Sequence, residues 1–177
     1  MNTMNIRGII ELTVKNMLKA ERILEELDVY LKLTGKKRIH VRSGKVEYTV
    51  YRSILHEYVE LEQDGTIEVY DEVGWEETYI TMTVEEEGIE VSFKTSISEV
   101  RKAVKTLVEK RRLIEDFVDK TLRKQAETPT MKYFGLSGLE GKSKRVIARI
   151  YVRKHVGYLH DISIYILEDR GVVCVVW

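Results

Sequence analysis

The sequence predicts an α+β fold: an antiparallel β-meander with two long helices packed on it and a C-terminal β-rich segment. Three observations carry this. Residues 5–34 and 97–126 repeat apolar side chains at helical spacing. Residues 37–95 divide into alternating runs separated by turn residues. Residues 131–177 then return to alternation. We read 1–127 as a helix–meander–helix core and 128–177 as a hairpin segment packed on the same core.

In the first helix Ile6, Ile9, Ile10, Thr13, Met17, Ala20, Leu24, Leu27 and Leu31 fall on one face. Asn5 is placed to cap its start and Gly35 to end it. The β-branched run Ile9–Val14 also fits a short strand, so residues 6–14 are left open between helix and strand. The meander offers strands at 37–42, 45–52, 54–62, 66–72, 75–84 and 89–95. Its punctuation is Ser43-Gly44, Gln63-Asp64-Gly65, Val73-Gly74 and Glu86-Glu87-Gly88. Ser96 and Glu99 have the spacing of a capping box for the second helix. Ile97, Val100, Val104, Leu107, Ile114 and Val118 form its apolar seam, which Arg111 interrupts. A helix of this length would run about 45 Å, against roughly 40 Å for a globule of this size. The long helices must therefore span the molecule, kink, or project as an oligomer interface. At the C-terminus Val146, Ala148, Ile150 and Val152 alternate, and Val172–Trp177 is apolar on both faces, as in a covered strand.

Composition bounds the setting. Among 177 residues there are 22 Glu, 21 Val and 16 Ile but only 2 Gln, 3 Asn and 1 Cys. Abundant charge with scarce thermolabile amides predicts a heat-adapted protein of archaeal or archaeal-virus type. The one cysteine, Cys174, excludes an intrachain disulfide and sits in an apolar run, where a buried thiol is expected. No apolar run is long enough to span a membrane and no signal peptide is seen, so a cytoplasmic protein with no membrane partner is expected.

Charge is segregated, although the total is zero. Residues 61–100 carry 1 basic and 12 acidic side chains (net −11); residues 101–177 carry 17 basic and 9 acidic (net +8). The two regions either neutralise one another inside the molecule or present opposite fields to partners.

The chemical motifs mostly fail on context. Gly135–Ser143 ends in Gly141-Lys142-Ser143, like a P-loop, but Leu136 stands where the first glycine is required and a strand follows, not a helix. His155 and His160 lack a third ligand at convincing spacing. Glu60 and Glu62 share a strand face, yet no nucleophile accompanies them. The second helix is basic, with internal pairs such as Arg111–Glu115 and Asp116–Lys120 expected to neutralise much of it. No catalytic, cofactor or metal site is read from the sequence.

What remains is a basic segment with tyrosine: Lys142, Lys144, Arg145, Arg149, Tyr151, Arg153 and Lys154. In a regular strand Arg145, Arg149 and Arg153 would share one face, opposite Val146, Ala148, Ile150 and Val152. Such a face follows a phosphate backbone, and Tyr151 supplies a stacking surface. The expectation is a non-enzymatic binding or assembly protein that contacts nucleic acid or a ribonucleoprotein there. The alternatives are an apolar-ligand carrier and a homo-oligomer joined through the long helices. The carrier follows from a resemblance in element order: helix, meander and long helix over residues 5–126 resemble the helix-grip group of lipid- and small-ligand-binding domains. That resemblance implies a first strand at residues 6–14 and a second helix closing a cavity.

Overall fold

The computed structural model describes residues 5–62, 66–86, 88–124, 129–135, 143–154 and 161–176. Helix α1 (Ile6–Thr34) leads into strands β1 (Arg38–Ser43), β2 (Val46–Leu61), β3 (Ile67–Glu86) and β4 (Ile89–Ser96). A 3-10 turn (Ile97–Glu99) then opens helices α2 (Val100–Glu109) and α3 (Arg111–Arg123). Strands β5 (Thr130–Phe134), β6 (Ser143–Lys154), β7 (Asp161–Leu167) and β8 (Val172–Val176) follow. All eight strands join one antiparallel sheet in the order β1-β2-β3-β4-β6-β7-β8-β5. The class is α+β, as expected.

Residues 6–14 are helical, so the first strand implied by the helix-grip resemblance does not form. The Asn5 side chain accepts a hydrogen bond from the Gly8 N–H at 2.8 Å, and Gly35 ends the helix at φ 70°, a left-handed conformation that glycine adopts at no steric cost. The face predicted from spacing is the face that α1 buries. The second long helix is two helices. The chain breaks at Lys110 (φ −93°, ψ 2°), which makes Arg111 the first residue of α3 and frees its side chain to meet Glu115 and Glu11 on α1. An arginine on an apolar seam could not stay there in one straight helix. The capping box does not form either. The Ser96 side chain is hydrogen-bonded to Glu77, and Glu99 turns to Arg145.

The helices cover one face of the sheet, against Val50, Ile80, Met82, Val91, Phe93, Ile150 and Ile164. The six candidate strands of the meander merge into four, because 45–52 with 54–62 and 66–72 with 75–84 are each one bent strand. Val73-Gly74 marks a bend, not a turn. Beyond it the β2–β3 hairpin continues as an arm whose β2 strand also pairs with the start of β6, through Tyr58↔Arg145, Val59↔Lys144 and Glu60↔Ser143. These pairings close a four-strand ring, β2-β3-β4-β6.

The arm builds a second core on the sheet's other face. Val59 packs with Tyr165, Leu167, Val173 and Val175, flanked by Ile67, Val69 and Val146. Val172, Cys174 and Val176 point to the helix side and Val173 and Val175 to the arm side, which is why β8 reads as apolar on both faces.

Candidate functional site

The predicted basic face is divided by a bulge. The β6–β7 register shifts between Val146 and Ala148. Val146 therefore joins the arm-side core, while Ile147, Ala148, Ile150 and Val152 join the helix-side core. One extra residue reverses the phase of every side chain beyond it. Arg145 lies toward the helix layer, where Glu99 is 3.4 Å and Glu168 3.8 Å away. Arg149 lies on the opposite face, 3.5 Å from Glu57 of the arm, and Arg153 there is 3.7 Å from Asp161. Lys144 is 3.5 Å from Asp169. Arg153 donates to the Tyr151 hydroxyl at 3.1 Å. For Lys154 the strand backbone is described and it pairs with Ile89. Lys142, with residues 136–141 of the glycine-rich run, lies outside the described residues, as do His155, Tyr158 and His160.

Arg149 and its surroundings line the ring's small interior. Leu55, Glu57, Tyr79, Lys94 and Arg149 border a cavity of about 20 Å³, room for one water at most. Burial raises the Glu57 carboxyl above its ordinary range, opposed by Arg149 and Lys94 and reinforced by Asp71. Lys94 sits over the stacked Tyr51 and Tyr79 rings, 5.8 and 5.3 Å from their centres. At the arm's tip Glu60, Glu62 and Glu68 bring carboxylate oxygens within 4.8 Å of one another.

The larger feature is the bend of the hairpin. Ser53 pairs with Glu77 and Leu55 with Val73, so Ile54 and Gly74-Trp75-Glu76 drop out of the β2–β3 ladder. The freed backbone re-aims their side chains. His56 is buried there, its Nε2–H donating to the Trp75 carbonyl at 2.9 Å and its ring edge-on to the indole with centres 4.4 Å apart. Gly74 leaves room for that ring, since a Cβ would fall 2.7 Å from it. The Arg145 guanidinium lies 5.6 Å over the Trp75 ring. Trp75 is thus held from below while remaining 60 % exposed.

Trp75 borders a cleft of about 280 Å³ between the end of α1, the bend and the 3-10 turn. Glu77 is its hub. It accepts hydrogen bonds from Ser96, from Ser98 at 3.1 Å and from Tyr79 at 3.5 Å, and the two serine hydroxyls are 3.0 Å apart. Burial pushes the Tyr79 hydroxyl pKa up, and the Glu77 charge adds to this. Beside it Glu76 receives Arg52 at 3.1 Å, a hydrogen bond that lowers the Glu76 carboxyl pKa. Arg52 also reaches Thr78 at 3.3 Å. Asp28 and Lys32 pair at 3.0 Å on the α1 side.

Serine, histidine and a carboxylate meet here, but not as a nucleophile relay. In a relay the imidazole stands between hydroxyl and carboxylate. Here Glu77 stands between the serines and His56, whose Nε2 is 3.7 Å from it, and the His56 N–H is already given to a backbone carbonyl. The arrangement offers alternating donors and acceptors beside an aromatic surface.

The residues of this cleft were not singled out in the sequence. The one available signal was Trp75 between Gly74 and two glutamates, where a large aromatic has no strand partner to explain it. The protein is, by its fold, an α+β chain with one continuous antiparallel sheet. No family model, curated protein or solved structure matches it.

Proposed function

We propose that this is a non-enzymatic binding protein whose ligand site is the cleft at the β2–β3 bend, and that the ligand is a small polar molecule. The observation that carries the reading is the preorganised Trp75, more than half exposed at the edge of a concave site whose carboxylate, guanidinium and hydroxyl groups are already mutually oriented. Fixed polar groups around an aromatic surface are what orients a small ligand. The test is a thermal-shift and calorimetric screen of sugars, amino acids and nucleosides against the wild type and Trp75→Ala. Binding that Trp75→Ala abolishes supports the reading. Binding unaffected by that change, or no binding in any class, overturns it.

A second reading keeps nucleic acid or a ribonucleoprotein as the partner of the Lys142–Lys154 segment. Arg149, Tyr151 and Arg153 share the face turned away from the helices with Lys94 and Tyr51, a basic and aromatic set of the kind that takes single strands. Against it, Lys144, Arg145, Arg149 and Arg153 each already have a carboxylate within 4 Å. A phosphate would have to displace or face those carboxylates. Salt-sensitive binding of single-stranded RNA, lost in Arg149→Ala with Arg153→Ala, would favour this reading over the first.

Self-association is a third reading, resting on Leu18, Val29 and Leu33, which share an exposed side of α1 at helical spacing. Light scattering at high concentration tests it. We also read the protein as heat-adapted and cytoplasmic. Ion pairs that join separate elements, such as Arg101–Glu21, Arg145–Glu99 and Arg170–Glu109, support the first. The unpaired, buried Cys174 is in keeping with the second. Among the described residues no helix is long and apolar enough to cross a membrane.

A further inference from the structure

We infer that the ligand of the bend cleft is a neutral saccharide, bound one ring at a time with an apolar sugar face on Trp75. The inference rests on the proposed binding role of the cleft and names its ligand class.

Three properties lead to it. The first is the aromatic surface. A pyranose ring has one face of C–H bonds, and such C–H groups pack favourably on the electron-rich face of an indole. Arg145 lies over the Trp75 ring and His56 meets it edge-on, yet the residue keeps 60 % of its surface accessible, so an aromatic surface is held in place before any ligand arrives. The second is the polar set. A sugar hydroxyl both donates and accepts, and it is best held where carboxylates and cationic N–H groups alternate. Glu77 and Glu76 are acceptors, Arg52 is a donor, and Ser98 can do either. The third is charge. The lining holds three carboxylates, Asp28, Glu76 and Glu77, against two cations, Lys32 and Arg52. An anionic ligand meets the carboxylates, and a cationic one must break the Arg52–Glu76 pair or compete with it. A neutral polyol exchanges hydrogen bonds with all of them at no Coulombic cost.

Size narrows the class further. The volume of about 280 Å³ falls just below the roughly 300–1,000 Å³ of pockets that enclose drug-sized ligands. One sugar ring fits in it.

The test uses the full chain with Trp177→Phe, which leaves Trp75 as the sole tryptophan of two. Its fluorescence is followed during titration with glucose, mannose, galactose and N-acetylglucosamine, and calorimetry repeats the measurement in the wild type. The inference expects a saturable change with at least one sugar. Ser98→Ala should weaken it about tenfold, the loss of one well-made hydrogen bond to a sugar hydroxyl. Trp75→Ala should abolish the calorimetric signal in a protein that still shows a cooperative melting transition. Amino acids and nucleosides are titrated in parallel. If one of these saturates the Trp75 signal and no sugar does, the saccharide inference fails while the binding role survives. If nothing saturates it, both fail.

Discussion

Gly74 and His56 show how closely single atoms are matched at the bend. Adding one methyl group at Gly74 would put a carbon 2.7 Å from the buried imidazole, which has no free space to retreat into beneath Trp75. Gly74→Ala should therefore cost about 1–3 kcal/mol, as overpacking does, seen as a lower urea midpoint with unchanged slope. Two titratable groups give further expectations. The Cys174 thiol, buried in β8, has its pKa pushed up to about 12, so it should stay inert to thiol reagents until the protein unfolds. The Glu57 carboxyl is raised above its ordinary 4.5 by burial. The folded state then holds that proton more tightly than the unfolded one, so this group's contribution to stability falls as pH rises through the window above 4.5. Urea midpoints measured across that window should show Glu57→Gln gaining on the wild type as pH increases. A constant difference would mean the carboxyl is not perturbed.

The β2–β3 arm is the element on which the architecture turns. It covers the face of β7 and β8 that the helices do not reach, and its docking creates the bend. Val59 is the buried contact at its centre. Val59→Ala should cost about 2 kcal/mol from lost burial and incomplete relaxation, and hydrogen exchange should quicken at Val173 and Val175 more than in α1. Equal exchange in both places would show that the arm does not protect β8. Helix α1 is simpler: Asn5→Ala should cost about 1 kcal/mol by removing its cap. Much at this scale was legible. The buried face of α1, its caps and the two-sided burial of β8 all follow from periodicity, because local spacing decides which side meets the core. The bend and the bulge near Ile147 were not legible, and the break at Lys110 was one of three alternatives left open for a helix longer than the globule. Each is a place where partners distant in sequence override a local preference. Val73-Gly74 looks like a turn because glycine permits one, yet the ladder resumes at Glu77. Ser96 looks like a cap, yet Glu77 from the neighbouring strand takes its hydroxyl.

Across the whole molecule, the acidic and basic regions of the sequence meet through Glu99–Arg145, while the other arginines of the basic region pair with carboxylates elsewhere, such as Glu57, Glu21 and Glu11. Acidic side chains of the meander and of the 3-10 turn meet the arginines of β6, through Glu57–Arg149 and Glu99–Arg145. The basic helices α2 and α3 instead pair with α1, through Arg101–Glu21 and Arg111–Glu11. Sequence alone could state that the fields were unequal but could not say which residues would face each other, since that depends on β4 and β6 being neighbours across the crossover. The candidate basic face shows the same limit. Lys144 to Lys154 do lie on one strand, but a one-residue shift in β6 sends Arg145 to one side and Arg149 and Arg153 to the other. The cleft was missed because its parts come from α1, β2, β3, the end of β4 and the 3-10 turn, and no stretch of sequence contains them together.

We propose that recognition occurs at the hairpin bend and not along β6. Backbone and indole chemical-shift mapping by NMR, with the small-molecule panel and single-stranded RNA added in turn, tests this most directly. A sugar is expected to shift the Trp75 indole N–H and the amides of Arg52, Glu77 and Ser98 while β6 stays still. Shifts confined to Lys144–Arg153, appearing only with RNA, would contradict it.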